Sequence, residues 1–354
     1  MTNVTRRAEV WLRLLLGVGG LVLLGAIVRH VGIEPIVSTL RAALPWVAVL
    51  AVVELVRIGC ETVASQLAFG PLARRIPRAT LFRAHVLGHS LSAFAPAPTV
   101  FNETIKATFI TPYTGVGPAA AVGFVNQAAM LMANGLITIP CALAILVLQG
   151  ASAWFWACAI HTVVLLSTGL ALQAVARADG PGRWIARRFP RFEEGVETFR
   201  EHSRAIRLGA RPTTAMLLLG RCLQVVQYGI AAHAVGIDVR ALRVAAAEGV
   251  HLVAMAVGVL VPGGLGTTEG AFGLAADLLD TTVARATATA LLMRCMQIAW
   301  VLVGALVALL PRAAPPSAPT SPCLDQRGAI LSDGAITPPS TSPVSRSSRA
   351  AEDG

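Results

Sequence analysis

Apolar stretches of roughly twenty residues or more recur along this chain, at 10–28, 44–68, 119–148, 152–176, 212–235 and 284–310. A helix needs about twenty such residues to cross the hydrocarbon core of a bilayer. Inside lipid every backbone donor and acceptor must be bonded within the protein, which leaves helices as the spanning form for such runs. The fold class expected is therefore an all-α polytopic integral membrane protein. Composition agrees: 55% of the 354 residues are hydrophobic and only 14% charged, against about 25% charged in a soluble domain. The net charge of +10 does not point to nucleic acid, because the arginines cluster between spans as the positive-inside rule expects. That bias puts both termini on the cytoplasmic side of a bacterial-type inner membrane. The arginines before residue 10, with no small-residue cleavage site after the first run, read as a retained first helix. The six cysteines are scattered without metal-ligand spacing, so neither a metal nor a disulfide framework is expected.

The segment Val261-Pro262-Gly263-Gly264-Leu265-Gly266-Thr267-Thr268-Glu269 interrupts apolar, helix-like sequence. Pro262 stops the incoming helix. Gly263, Gly264 and Gly266 leave backbone N–H groups uncovered, and Thr267 or Thr268 can cap a new helix with Glu269 in its first turn. A break of this kind survives in lipid only when buried in protein or lining a wet cavity. It reads either as a ligand site or as a glycine-rich turn. A second break lies near Pro96 and Pro98, where Asn102 can cap a short helix carrying Glu103 and Lys106, ended by Pro112, Gly115, Gly117 and Pro118.

Charges inside the spans share helix faces. Glu54, Arg57 and Glu61 lie at i, i+3, i+7, as do Arg221, Gln224 and Tyr228. Arg294 and Gln297 are one turn apart, His85 and His89 likewise, and Glu248 and His251 precede the second break. Such groups face the protein interior or water rather than hydrocarbon. Arg57 with its two glutamates is either a structural ion pair or part of a pathway.

The layout repeats. Residues 44–148 run charged span, loop, broken hairpin, polar-marked span, and residues 212–310 run in the same order. Counting crossings, the first span of one half runs opposite to the first span of the other. The expected architecture is an inverted repeat with two broken re-entrant hairpins, a transmembrane domain over 1–310. Residues 29–43 read as a short loop, 177–211 as a cytoplasmic basic linker, and 311–354 as a disordered tail. Paired interruptions in corresponding positions are the pattern of transporters with a midplane site.

Pro262-Gly-Gly-Leu-Gly-Thr-Thr-Glu269 resembles a signature of the lysylphosphatidylglycerol synthase transmembrane region, or flippase-like domain, and Pro98 to Lys106 is similar to that family's earlier Pro-Gly-Arg-x-Gly-Glu-x-x-Arg segment. Thr99, Val100, Asn102 and Lys106 depart from that segment. Asn126-Gln127 stand where the family often carries Glu-Arg. The resemblance implies movement of lipids or lipid-linked groups between leaflets, by a stand-alone domain without aminoacyl-lipid synthesis and without a cofactor.

The leading reading is a flippase for a phospholipid or lipid-linked intermediate. The alternatives are a non-transporting membrane partner of a lipid or polysaccharide pathway, and an integral-membrane lipid-modifying enzyme, for which no HExxH or Ser/His pattern is present. Expected substrate-binding residues are Arg57, Pro98, Asn102, Glu103, Lys106, Arg221, Pro262, Gly263, Gly264, Gly266, Thr267, Glu269 and Arg294. No catalytic residue is expected. The expected partners are membrane lipids, an anionic phospholipid or a polyprenyl-phosphate-linked substrate, and not nucleic acid; association into a homo-oligomer stays open. Residues 315–354 lack apolar periodicity, so their deletion should leave membrane insertion and lipid movement unchanged, checked by membrane fractionation and a vesicle assay.

Overall fold

The computed structural model describes residues 33–92, 98–178, 197–199, 210–261 and 266–310. The first span at 10–28, most of the basic linker, the tail after 310, Pro96, Pro262, Gly263 and Gly264 lie outside them. The described residues are helical and contain no strand. Among the described residues the α-helices of eight residues or more are, in chain order, α1 Ile33–Ala43, α2 Trp46–Phe69, α3 Arg78–Ser92, α4 Pro98–Thr114, α5 Val116–Gln149, α6 Ala153–Arg177, α7 Ala210–Ala234, α8 Ala241–Val257, α9 Thr267–Leu274 and α10 Val283–Leu309. Four of them, α5, α6, α7 and α10, are long and apolar enough to cross a membrane, and α1 with α2 makes a fifth candidate bent by 63°.

Local chemistry explains most boundaries, and corrects several expectations. Residues 33–43 are helix rather than loop: Pro35 falls in the first turn, where its missing N–H is no loss. Pro98 opens α4 at its first position, so Asn102 lies inside the helix and does not cap it. Pro112 is likewise inside α4, and the stop is Gly115, whose φ of 84° reverses the chain before α5. Ser152 and Thr282 cap α6 and α10 by accepting from Phe155 N and Arg285 N. Helix α9 is capped by Gly266 at φ 79° and not by a threonine. It has 8 residues, or about 12 Å, too short to cross.

Helices α2 and α7 pack antiparallel along their length. Thr213 donates to Ala64 O, Gly220 lies against Arg57 and Cys60, and Gln227 donates to Leu50 O. Helix α10 runs antiparallel to α3: Ser90 donates to Trp300 O, and Arg83 to Ala308 O and Leu310 O. The ends of these helices sort into two rims. At one, Phe69, Ile76, Leu81, Ile110, Ala119 and Val122 form a cluster, so α2 ends, α3 begins, α4 ends and α5 begins together. At the other, Arg243 near the start of α8 pairs with Asp280 beyond α9, and Arg285 at the start of α10 donates to Gly236 O. The α3–α4 pair thus starts beside the end of α10, and the α8–α9 pair starts beside its beginning.

Packing between α2–α5 and α7–α10 has a regular pattern. Helix α5 packs on α7 and α8; correspondingly α10 packs on α2 and α3. Helix α2 touches α5 as α7 touches α10, α4 packs on α3 and α5, and α9 on α8 and α10. Helix α6 lies against α5 and α8 and presents Trp156, Ile160, Val163 and Val164 outward. Close approaches depend on small residues. A Cβ on Gly304 would overlap Ser90 Cβ at the α3–α10 contact. Gly304→Ala should therefore lower stability by about 1–3 kcal/mol, and adding Ser90→Gly should restore part of it in thermal unfolding of the purified protein.

Candidate functional site

A charged residue within a span must find partners, because water cannot reach it. Arg57 is 8% exposed and is held by its own helix: Nε donates to Glu54 Oε2 at 2.9 Å, Nη2 bonds Glu54 Oε1, and Nη1 donates to Glu61 Oε1 at 2.7 Å. The i, i+3 and i, i+4 spacings put both carboxylates on the arginine's face. Neighbouring helices complete the group. His89 Nε2 on α3 lies 2.9 Å from Glu54 Oε1, and Gln227 Nε2 on α7 donates to Glu54 Oε2 at 3.0 Å. With a proton on Nε2, His89 donates to the carboxylate and turns Nδ1 toward Arg57 Nη2, 3.4 Å away. Asn126 on α5 donates to Ser65 Oγ at 2.8 Å, and Ser65 Oγ is 2.9 Å from His85 Nε2. The other nitrogen of His85 faces Glu61 Oε2 at 3.9 Å. Four helices thereby converge on one ion triad. His85 and His89 are partners of carboxylates, and the described residues contain no cluster able to hold a metal.

Two further pairs flank this group. On α4, Lys106 Nζ bonds Glu103 one turn away, beside Ser65 and Asn126 in a recess of about 10 Å³, room for one water. Near the second break, Glu269 is 2% exposed: Oε2 accepts from Gly266 N at 2.9 Å, while Oε1 faces Arg294 Nε and Nη2 at 3.2 Å each. Arg294 Nη1 also donates to Gln297 at 3.0 Å. The Gly266 amide is thus engaged by a carboxylate and not free for a phosphate. Each paired limb carries a matching contact: Asn102 of α4 lies over Gly88 of α3, and Thr267 of α9 over Gly258 beyond α8. Among the expected residues, Pro98 is the first residue of α4, and Pro262, Gly263 and Gly264 lie outside the described residues.

Charged groups join these clusters into one seam. Glu61 is in coulombic reach of Lys106, Glu248 of Arg221 and Arg57, and His251 of Arg221 and Arg294. Tyr228 stacks on Phe272 of α9 with ring centres 5.5 Å apart, and its ring lies tilted against His251 of α8 at 4.9 Å. Arg221 differs from the other cations. Its Nη1 donates to Gln224 Oε1 and Nη2 lies 3.1 Å from Met130 Sδ, and among the described residues no carboxylate pairs with it. Glu248 is the converse, with 0% exposure and, among the described residues, no hydrogen-bond partner for either oxygen.

The sequence model of the lysylphosphatidylglycerol synthase TM region matches residues 10–305. The chain belongs to that family. A match over most of the chain covers every helix of the seam, and the lysylphosphatidylglycerol synthase TM region is a membrane domain linked to lipid-related functions. Comparison with curated proteins and with solved structures returns no match. Within this member of the family, Gln227, Ser65 and Glu248 were not among the expected site residues. Gln227 extends the i, i+3 stripe begun by Arg221 and Gln224, so its spacing was a usable signal.

Removing Arg57 would leave Glu54 and Glu61 buried beside each other. Arg57→Ala should lower stability by about 3–5 kcal/mol, whereas Glu54→Gln, which keeps hydrogen-bonding atoms, should cost less. Thermal unfolding in one detergent compares the two directly.

Proposed function

We propose that this chain moves a phospholipid or lipid-linked intermediate with an anionic headgroup between leaflets, and that Arg221 is the residue on which the anion rests. The observation that carries this reading is the unequal pairing of the buried cations. Arg57, Lys106 and Arg294 each contact a glutamate, and among the described residues Arg221 is braced only by a neutral amide and a thioether. A guanidinium without a carboxylate, partly buried in a membrane domain, favours a phosphate, which it can grip through two parallel N–H bonds. Acyl chains stay in lipid while the polar seam carries the headgroup, and no aminoacyl transfer enters the cycle.

The reading also takes the two halves as an inverted repeat, with α3–α4 and α8–α9 as re-entrant hairpins. In its support, exchanging α2–α5 with α7–α10 carries each of the packing contacts described above among these eight helices onto a contact of the same set. The exchanged partners α2 and α7 are antiparallel, as an axis in the membrane plane requires. Such an axis places the seam where the halves meet, the usual seat of a transport site. The membrane we infer is a bacterial-type cytoplasmic membrane, with both termini inside.

The test is reconstitution of the purified chain into phosphatidylcholine vesicles holding a small fraction of tail-labelled phosphatidylglycerol or polyprenyl phosphate. Label moving from inner to outer leaflet, measured by quencher access, is the expected result, and vesicles no faster than protein-free ones overturn the proposal. Arg221→Ala should abolish the movement and leave the protein folded. It orphans only one amide oxygen, at about 1 kcal/mol, far less than the loss at Arg57. Unfolding curves on the same preparation separate the two effects.

A further inference from the structure

Five glutamates line the seam, Glu54, Glu61, Glu103, Glu248 and Glu269, and four of them contact a basic side chain. Glu248 is the exception. Among the described residues no donor reaches its two buried oxygens, and the adjacent Gly249 packs against Cys141 and Cys158. An ionised carboxylate in such a place is costly by several kcal/mol, whereas a protonated one is not. The elements around it supply little else. On its own helix, His251 lies one turn on, with Nδ1 also unbonded. Helix α2 brings Arg57, already held by Glu54 and Glu61. Helices α5 and α6 bring the Cys141 and Cys158 thiols. Helix α7 brings Tyr228 and Arg221, and α9 and α10 bring Glu269 and Arg294, bonded to each other. The acid without a donor and the cation without a carboxylate are therefore in electrostatic reach of one another and not in contact.

We infer that Glu248 is the proton carrier of the transport cycle, holding a proton while an anionic headgroup sits on Arg221 and releasing it to water when that headgroup leaves. This rests on the reading of Arg221 given above. The charge balance explains the pairing. With the anion bound, Arg221 is neutralised by the headgroup and Glu248 is a neutral acid. With the anion gone, Arg221 is neutralised by ionised Glu248. Both states carry the same net charge, so neither leaves an uncompensated charge in a low-dielectric interior. In each cycle one O–H bond of Glu248 breaks, its electrons stay on the carboxylate, and the proton departs on the side where the headgroup is delivered. Headgroup and proton travel together. Binding and protonation must then favour each other equally.

The experiment uses the full chain and short-chain phosphatidylglycerol as probe. Its binding to the detergent-solubilised protein, and the movement of tail-labelled phosphatidylglycerol in phosphatidylcholine vesicles, are measured over about pH 5 to 9. Wild type should bind about tenfold or more tightly at the acid end, and a vesicle-entrapped pH dye should report proton movement with the lipid. Glu248→Gln, a neutral isostere of the protonated acid, should bind at every pH as wild type does in acid, and move no protons. A variant that keeps the wild-type pH dependence overturns the inference while leaving transport standing. Wild type that neither binds nor moves the probe at any pH overturns the transport reading, and this one falls with it. A measurement on wild type alone guards against a variant that does not fold. A lipid-soluble carbodiimide, which attacks protonated carboxylic acids, should label Glu248 in peptide mass spectra, with labelling lost as pH rises. Glu248 unlabelled at every pH overturns the assignment.

Discussion

The Arg57 triad is the interaction on which the rest of the described structure depends. A guanidinium inside a membrane domain is tolerable only when its charge and its donors are matched. Glu54 and Glu61 match them within α2, and the remaining carboxylate capacity is filled from other helices. Glu54 accepts four hydrogen bonds, from Arg57, His89 and Gln227. Satisfying that one side chain fixes the facing surfaces of α2, α3 and α7, and Asn126 brings α5 through Ser65 and His85. The polar contacts set the register that apolar packing alone would leave free to slide.

Apolar packing supplies the closeness that such bonds need. Gly249 lets α8 sit on Cys141 and Cys158, and Gly304 receives Ser90. In lipid, helix association gains from van der Waals contact and interhelical hydrogen bonds rather than from burial against water. A small residue at each crossing therefore serves both: it shortens the helix separation and brings side chains such as Gln227 within reach of a partner helix.

The electrostatic seam divides into paired and unpaired members, and the two kinds have different physical consequences. A matched pair holds helices in place and resists change, because breaking it strands a charge. Among the described residues Arg221 meets a neutral amide and a thioether and Glu248 meets no donor, so on the transport reading a bound anion or a proton would settle their charge. The matched groups gather at Arg57, while Arg221 on α7 and Glu248 on α8 have no partner of opposite charge in contact among the described residues.

Much of the helix content was legible in the sequence, because hydrophobic length, proline, and glycine act locally. The runs at 119–148, 152–176, 212–235 and 284–310 became α5, α6, α7 and α10 within a few residues. The shared faces of Glu54, Arg57 and Glu61, and of Arg294 and Gln297, follow from helical spacing alone, as does the pairing of Glu103 with Lys106. Helix α1 was missed because Pro35 signals a break unless its position in the first turn is known. The cap at Gly266 was missed because a left-handed φ is set by how the chain must turn into α9. Tertiary structure alone decided that Glu269 takes Arg294, 25 residues away, that Gln227 reaches Glu54 across 173 residues, and that no donor among the described residues bonds Glu248. Spacing determines which side chains share a helix face; which helix that face meets, and so which charges are matched and which left open, is settled only when the helices pack.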